Sequence, residues 1–329
     1  MVDATAPTPG SSRARLFDTL GPFIGLFLVA TLFTIVAPQG FATVYNVKTI
    51  LTQSAIVGMC AIGMTFVIRS GGIDLSVGSI IALASVVTAL AMRAGYGEWA
   101  SALCGILAGS AVGLVNGGLI TKLDLPPFIA TLGTLGAARG VAKWLADEQT
   151  VSAPSGAFAD IMAKTPDPAW LMVAPGVWLM IIAAVLAALL LRRTIFGIWT
   201  TSIGSNERAA TLCGIPVDRT KILVYTLMGA AAGLAGVLQF GRLVVGDPTS
   251  AGGKELDVIA AVVIGGASLS GGTGTILGSI LGALLMATLA NGCNLSGVPN
   301  YVQEILIGAI IVGAVALDGL RQKRRQRAA

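Results

Sequence analysis

Long apolar runs with few charges recur along the whole chain, and few folds can accommodate them. They are Leu20–Val36, Ile50–Ile68, Val77–Met92, Ala100–Ile120, Phe128–Ala146, Trp170–Leu191, Ile222–Val245, Leu256–Leu269, Thr275–Asn291 and Tyr301–Ala316. Most approach the roughly 20 residues that cross a bilayer as a helix, and none alternates as a barrel strand would. Only 11% of the 329 residues are charged, against about 25% in a soluble domain. The expectation is an all-α polytopic membrane protein. It has about ten transmembrane segments, or as few as eight, because Leu256–Leu269 is short.

An even number of spans puts both termini on one side. Arg13, Arg15, Arg69, Lys122, Arg192, Arg193, Arg208, Arg219, Lys221 and the tail cluster Arg321, Lys323, Arg324, Arg325 and Arg327 then share that side. The positive-inside rule makes it the cytoplasm. The net charge of +5 is explained by this bias and is not a nucleic-acid signal. Residues 1–15, rich in Pro, Ser and Arg, read as a disordered cytoplasmic leader ahead of a retained anchor. Residues 16–320 read as one transmembrane domain, with a cytoplasmic loop over 194–221 and a basic tail over 321–329. The segment 147–167 reads as an outer loop, either a linker or a docking site.

Within the apolar pattern, SGGIDLSVGSI (Ser70–Ile80) stands out. Two glycines beside a carboxylate and a serine mark a membrane helix that breaks and restarts. Bilayer tolerates such backbone only where protein covers it or it lines a polar cavity. Two hundred positions later Ser270–Ile280 reads SGGTGTILGSI, repeating Ser70, Gly71, Gly72, Gly78, Ser79 and Ile80. This points to two pseudo-repeats. On the ten-span topology both breaks follow an inward-running segment, so the repeats are parallel.

Asp74 is a carboxylate in an apolar segment, which costs roughly 2.5–3.5 kcal/mol on insertion scales. It reads either as part of a substrate path or gate, or as a helix N-cap, and its counterpart Gly274 favours the cap. Candidate path residues are Ser70, Asp74, Ser76, Asn116, Thr131, Ser270, Asn291 and Gln303. Such neutral amides and hydroxyls suit a polyhydroxylated solute and equally serve as bonds between helices.

Ser205–Gly214 is the most structured of the polar connections. Ser205 or Asn206 can cap a short helix, Glu207 suits the positive end of its dipole, and Gly214 and Pro216 stop it. Ala209, Ala210 and Leu212 form its apolar face, and Glu207 and Arg208 its charges. A helix of this length is unstable alone in water, so it rests on its own chain or on a partner.

The sequence has no histidine, no Walker P-loop and no metal spacing among Cys60, Cys104, Cys213 and Cys293. No metal, cofactor or catalytic centre is therefore expected, and energy for uphill transport must come from elsewhere.

The stretches GMTFVIRSGGIDLSVGS (Gly63–Ser79), IGSNERAATLCGIPVDRTK (Ile203–Lys221) and ELDVIAAVVIGGASLSGGTGTILGS (Glu255–Ser279) resemble the permease subunits of ribose-type bacterial ABC sugar importers. The resemblance runs from about Asn46 to Asp318. It implies a multi-pass inner-membrane protein and a homodimer or a heterodimer with a second permease. It also implies a cytoplasmic ABC ATPase, a periplasmic sugar-binding protein and a monosaccharide cargo. Ser205–Gly214 matches the family's cytoplasmic segment that meets the ATPase. Alternatives are a branched-chain amino-acid permease of the same class and a self-sufficient secondary transporter or channel.

Overall fold

The computed structural model describes residues 10–154 and 158–328. In order the elements are α1 (Gly10–Val36), α2 (Val44–Arg69), α3 (Val77–Arg93), α4 (Glu98–Lys122), α5 (Pro127–Leu145), β1 (Val151–Ser152), α6 (Phe158–Ile161), α7 (Pro175–Arg193) and α8 (Ile195–Ser205). They continue with α9 (Glu207–Leu212), α10 (Val217–Leu243), β2 (Val245–Gly246), α11 (Lys254–Ile264), α12 (Ile276–Leu295) and α13 (Asn300–Ala328). Among the described residues α2, α4, α7, α10 and α12 are long and apolar enough to cross a membrane. Shorter apolar helical stretches lie at Leu20–Val36, Val77–Arg93 and Asn300–Gly313. The chain folds as an all-α membrane protein.

Local chemistry sets many helix ends. Thr43 caps α2 by accepting from the Asn46 N–H, Pro127 and Pro175 open α5 and α7, and Arg192 and Arg193 close α7. Two expectations change. The segment 10–15 is helical and opens α1, while residues 1–9 lie outside the described residues. The basic tail from Arg321 to Ala328 lies within α13. Helix α11 covers only 11 residues, about 16 Å at 1.5 Å per residue, half of the bilayer core. The described part of the segment 147–167 packs on the bundle: β1 pairs antiparallel with β2, and Phe158 of α6 is buried edge-on against Phe240.

At the centre is α2, buried without interruption from Ser54 to Ile68. It is surrounded by α7, α10, α11 and α12, and α3 lies between α10, α4 and α5. The outer helices expose large apolar side chains, among them Phe27, Leu28 and Ile35 on α1, Leu103 and Leu107 on α4, and Ile182, Leu186 and Leu189 on α7. A water-soluble monomer rarely exposes so much continuous apolar surface, whereas lipid accepts it.

Because lipid tails are as apolar as leucine, helix association here depends on close packing. The extensive contact between α4 and α10 supplies it. Gly105, Gly109, Gly113 and Gly117 recur every fourth residue along one face of α4, opposite Gly229 and Gly233 of α10. A Cβ at Gly109 would collide with the Gly229 carbonyl and lie 2.7 Å from the Gly233 Cα. Gly109→Val is therefore expected to destabilise the fold by at least the 1–3 kcal/mol typical of overpacking. Thermal unfolding in detergent, followed by fluorescence-detected gel filtration, checks this.

Candidate functional site

Helix α2 ends in a Schellman motif. The Gly71 N–H donates to the Ile68 carbonyl, the Gly72 N–H to the Val67 carbonyl, and Gly71 takes φ +85°, where a Cβ is costly. Helix α11 stops in the same way ahead of Ser270, at Gly265-Gly266. The two halves thus match at the restart, Val77 and Ile276, and differ at the stop.

The two broken segments meet. The Gly272 N–H donates to the Arg69 carbonyl at 3.0 Å, and the Arg69 guanidinium donates from Nη1 to the Gly274 carbonyl at 2.5 Å. From Nε it donates to Thr201 Oγ1 of α8 at 2.8 Å. The last turn of α8 lies between the loops. A Cβ at Gly204 would collide with the Arg69 carbonyl and sit 2.7 Å from the Gly272 nitrogen, while one at Gly271 would lie 2.9 Å from the Gly204 Cα. Nearby, the Thr65 hydroxyl donates to Ser279 Oγ at 2.7 Å, joining α2 to α12. Ser70 and Ser270 belong to this junction, and Ser70 Oγ donates to the Val67 carbonyl.

The short helix α9 follows the junction directly. Asn206 is at once the C-cap of α8 and the N-cap of α9, where its side chain accepts from the Ala209 N–H at 3.0 Å. Ser205 ends α8 instead of capping. A second Schellman motif closes α9: the Gly214 N–H donates to the Thr211 carbonyl and the Ile215 N–H to Ala210, with Gly214 at φ +79°. The expected apolar face divides. Ala210 is buried on its own chain, Ala209 is exposed, and Leu212 is 89% exposed. The expected charges divide too, since Glu207 pairs with Lys221 of α10 at 2.7 Å, while Arg208 is exposed.

Asp74 is wholly buried and sits at the start of α3. Its Oδ1 accepts from the Ser76 N–H (2.8 Å) and the Ser76 hydroxyl (2.6 Å), closing an Asx turn ahead of α3. Ser76 occupies the N-cap position but makes no side-chain capping bond. The Asn116 amide donates to Ser76 Oγ at 2.9 Å and, at a long 3.5 Å, to Asp74 Oδ2, and Asn116 Oδ1 accepts from Thr134 at 2.6 Å. Thr131 donates to the Ile73 carbonyl at 3.3 Å. Four of the expected path residues, Asp74, Ser76, Asn116 and Thr131, thus form a buried polar cluster linking α3, α4 and α5. Asn291 is buried within α12, and its Oδ1 lacks a partner among the described residues. Gln303 lies at the far end of the bundle, against Asn294.

Sequence reasoning missed Thr201 and Gly204, and used Arg69 only as a topology marker. Arg69 carried a signal, a cation ending an apolar run beside two glycines; Thr201 and Gly204 carried none.

The profile of the family described as "Branched-chain amino acid transport system / permease component" matches residues 46–315. The chain belongs to this family. It is 41% identical to the ribose import permease protein of Bacillus subtilis (strain 168), over 92% of this chain and 93% of that protein. It is 36% identical to the L-arabinose transport system permease protein of Escherichia coli (strain K12), over 98% and 96%. It is 35% identical to the D-allose transport system permease protein of the same strain, over 94% of each. No solved structure matches.

The cluster predicts a graded response at position 74. Asp74→Asn keeps an acceptor for the Ser76 N–H and should assemble; Asp74→Ala leaves that N–H and the Ser76 and Asn116 donors short of an acceptor. Each buried donor left without its acceptor costs roughly 1–3 kcal/mol. Unfolding midpoints in detergent should therefore rank wild type, Asp74→Asn, Asp74→Ala in falling order.

Proposed function

We propose that this chain is the membrane-spanning subunit of an ATP-driven monosaccharide importer. The observation that carries this reading is whole-length similarity to permeases named for ribose, L-arabinose and D-allose. The family description names branched-chain amino acids, which is the same transport class with another cargo. The full-length relatives favour the sugar.

The bundle has two distinguishable ends. Arg69, Lys122, Arg192, Arg193, Arg208, Arg219 and Lys221 lie at helix ends or in short connections on the side of the junction. Helix α1 runs alongside α12, with Gly25 at Leu285 and Phe33 at Gly292, away from the junction. Helix α13 starts at the far end and returns. This supports a cytoplasmic junction with both termini on that side. Ten membrane segments, with α11 as a partial one, and two parallel pseudo-repeats fit the same arrangement. The protein then sits in the bacterial inner membrane, paired with a second permease copy or a homologue. A periplasmic sugar-binding protein delivers to the far end.

ATP hydrolysis belongs to a separate cytoplasmic subunit, so force enters through contact. Helix α9 is suited to receive it. Burying Leu212 in a partner contributes about 1.5–3 kcal/mol, more than the 0–1 kcal/mol of an exposed ion pair. Because Asn206 joins α9 to α8 without a spacer, and Gly204 sits between both loops, a push on α9 reaches both broken helices within one turn.

Two variants separate docking from transmission. Leu212→Asp should abolish co-purification of the ATPase and sugar-stimulated ATP hydrolysis, while Glu207→Ala, which breaks an internal pair, has the smaller effect. Gly204→Val should keep the ATPase bound but uncouple hydrolysis from uptake. In proteoliposomes wild-type uptake should require ATP and ignore proton and sodium gradients. Gradient-driven uptake without ATP rules the reading out.

A further inference from the structure

A cavity of about 250 Å³ opens between α2, α10, α11, α12 and α13. It lies far from the junction. Gln53 precedes Arg69 by 16 residues on α2, about 24 Å of helix. On α10, whose Tyr225 hydroxyl lies against Gly72, Gln239 comes 14 residues later, about 21 Å. The cavity therefore occupies the half of the bundle opposite the loops.

Its lining is unusual for a lipid-embedded bundle. Four carboxamides, Gln53, Gln239, Asn294 and Gln303, face it together with apolar Ile56, Val57 and Met286. Among the described residues the side chains of Gln53 and Gln239 make no hydrogen bond to protein. Gln303 donates to Asn294 Oδ1 at 2.8 Å and to the Val298 carbonyl at 3.0 Å, and its own carbonyl oxygen accepts nothing among the described residues. Outside it, buried polar groups such as Asp74 and Asn116 are bonded within the protein, although Asn291 Oδ1 lacks a partner among the described residues. Here they are held ready for something else. Lys254 and Asp257 also line the wall, but they neutralise each other at 2.6 Å. Arg242, exposed, adds a cation at the edge.

We infer that this cavity is a binding station for a neutral sugar inside a single permease chain, occupied on the far side before the junction opens. This rests on the sugar-importer reading. A carboxamide offers both donors and acceptors, as does each sugar hydroxyl, and apolar side chains accept the sugar's C–H face. The size agrees: pockets for drug-sized ligands hold about 300–1,000 Å³, and this one falls just below, as a smaller solute requires.

The test uses the complete importer, with its ATPase and binding protein, in proteoliposomes supplied with D-ribose, L-arabinose or D-allose. Gln239→Leu and Gln303→Leu should raise the KM for uptake about tenfold, the equivalent of one to two lost hydrogen bonds. ATPase co-purification and basal hydrolysis should stay at wild-type level. Wild-type KM in both variants overturns the inference while the importer reading stands; a wild-type complex that moves none of the three sugars defeats both. If the leucine variants fail to assemble, Gln303→Cys decides, in a chain with Cys104 and Cys213 replaced by serine. Its labelling by a charged thiol reagent should slow when the transported sugar is added. Unslowed labelling overturns the inference, and protection by D-gluconate alone reassigns the cavity to a sugar acid and overturns it as stated.

Discussion

Backbone hydrogen bonding without water constrains this structure more than any other factor. Every helix that breaks inside a bilayer frees N–H and C=O groups that only protein can satisfy. Two such breaks occur here, and each is placed where it can serve the other. The carbonyl of Arg69 accepts from Gly272, and the guanidinium of the same residue reaches Gly274 and Thr201. One residue at the end of α2 thus ties both loops and α8 into a single unit.

Close approach makes that unit mechanically direct. Gly204 brings the backbone of α8 against both loops, as the α4 glycine row brings α4 against α10. Packed backbones have no soft side chains between them to absorb a displacement, and protein interiors compress little. In the proposed mechanism a shift of α9 is therefore passed on rather than dissipated. Helix α9 is anchored to its own chain by buried Ala210 and by the Glu207–Lys221 pair, and the rest of it, Leu212 included, is exposed.

Two groups of polar side chains in the bundle differ in how they are bonded. The cluster of Asp74, Ser76, Asn116 and Thr134 is buried and mutually bonded, so it fixes the start of α3. The carboxamides facing the far cavity keep unfilled bonding capacity. In a low-dielectric setting an unpaired polar group is costly unless water or a ligand reaches it.

Membrane class, helix positions and the caps of α9 were legible in the sequence because they depend on neighbours within a few residues: the length of an apolar run, Asn206 three residues before Ala209, Gly214 after a short helix. The SGG repeat was legible for the same reason, and the three quoted stretches pointed to the family. Roles that depend on distant partners were not. Whether Asp74 lines a path or pins α3 turns on Asn116, 42 residues away, and whether Ala210 or Leu212 faces outward turns on how α9 lies against α10. The early stop of α11, the reach of Arg69 to Gly274 and the gathering of Gln53, Gln239 and Gln303 around one cavity were likewise decided only in three dimensions. Local sequence sets where helices start and stop; which of their faces meet is set by packing across the whole bundle.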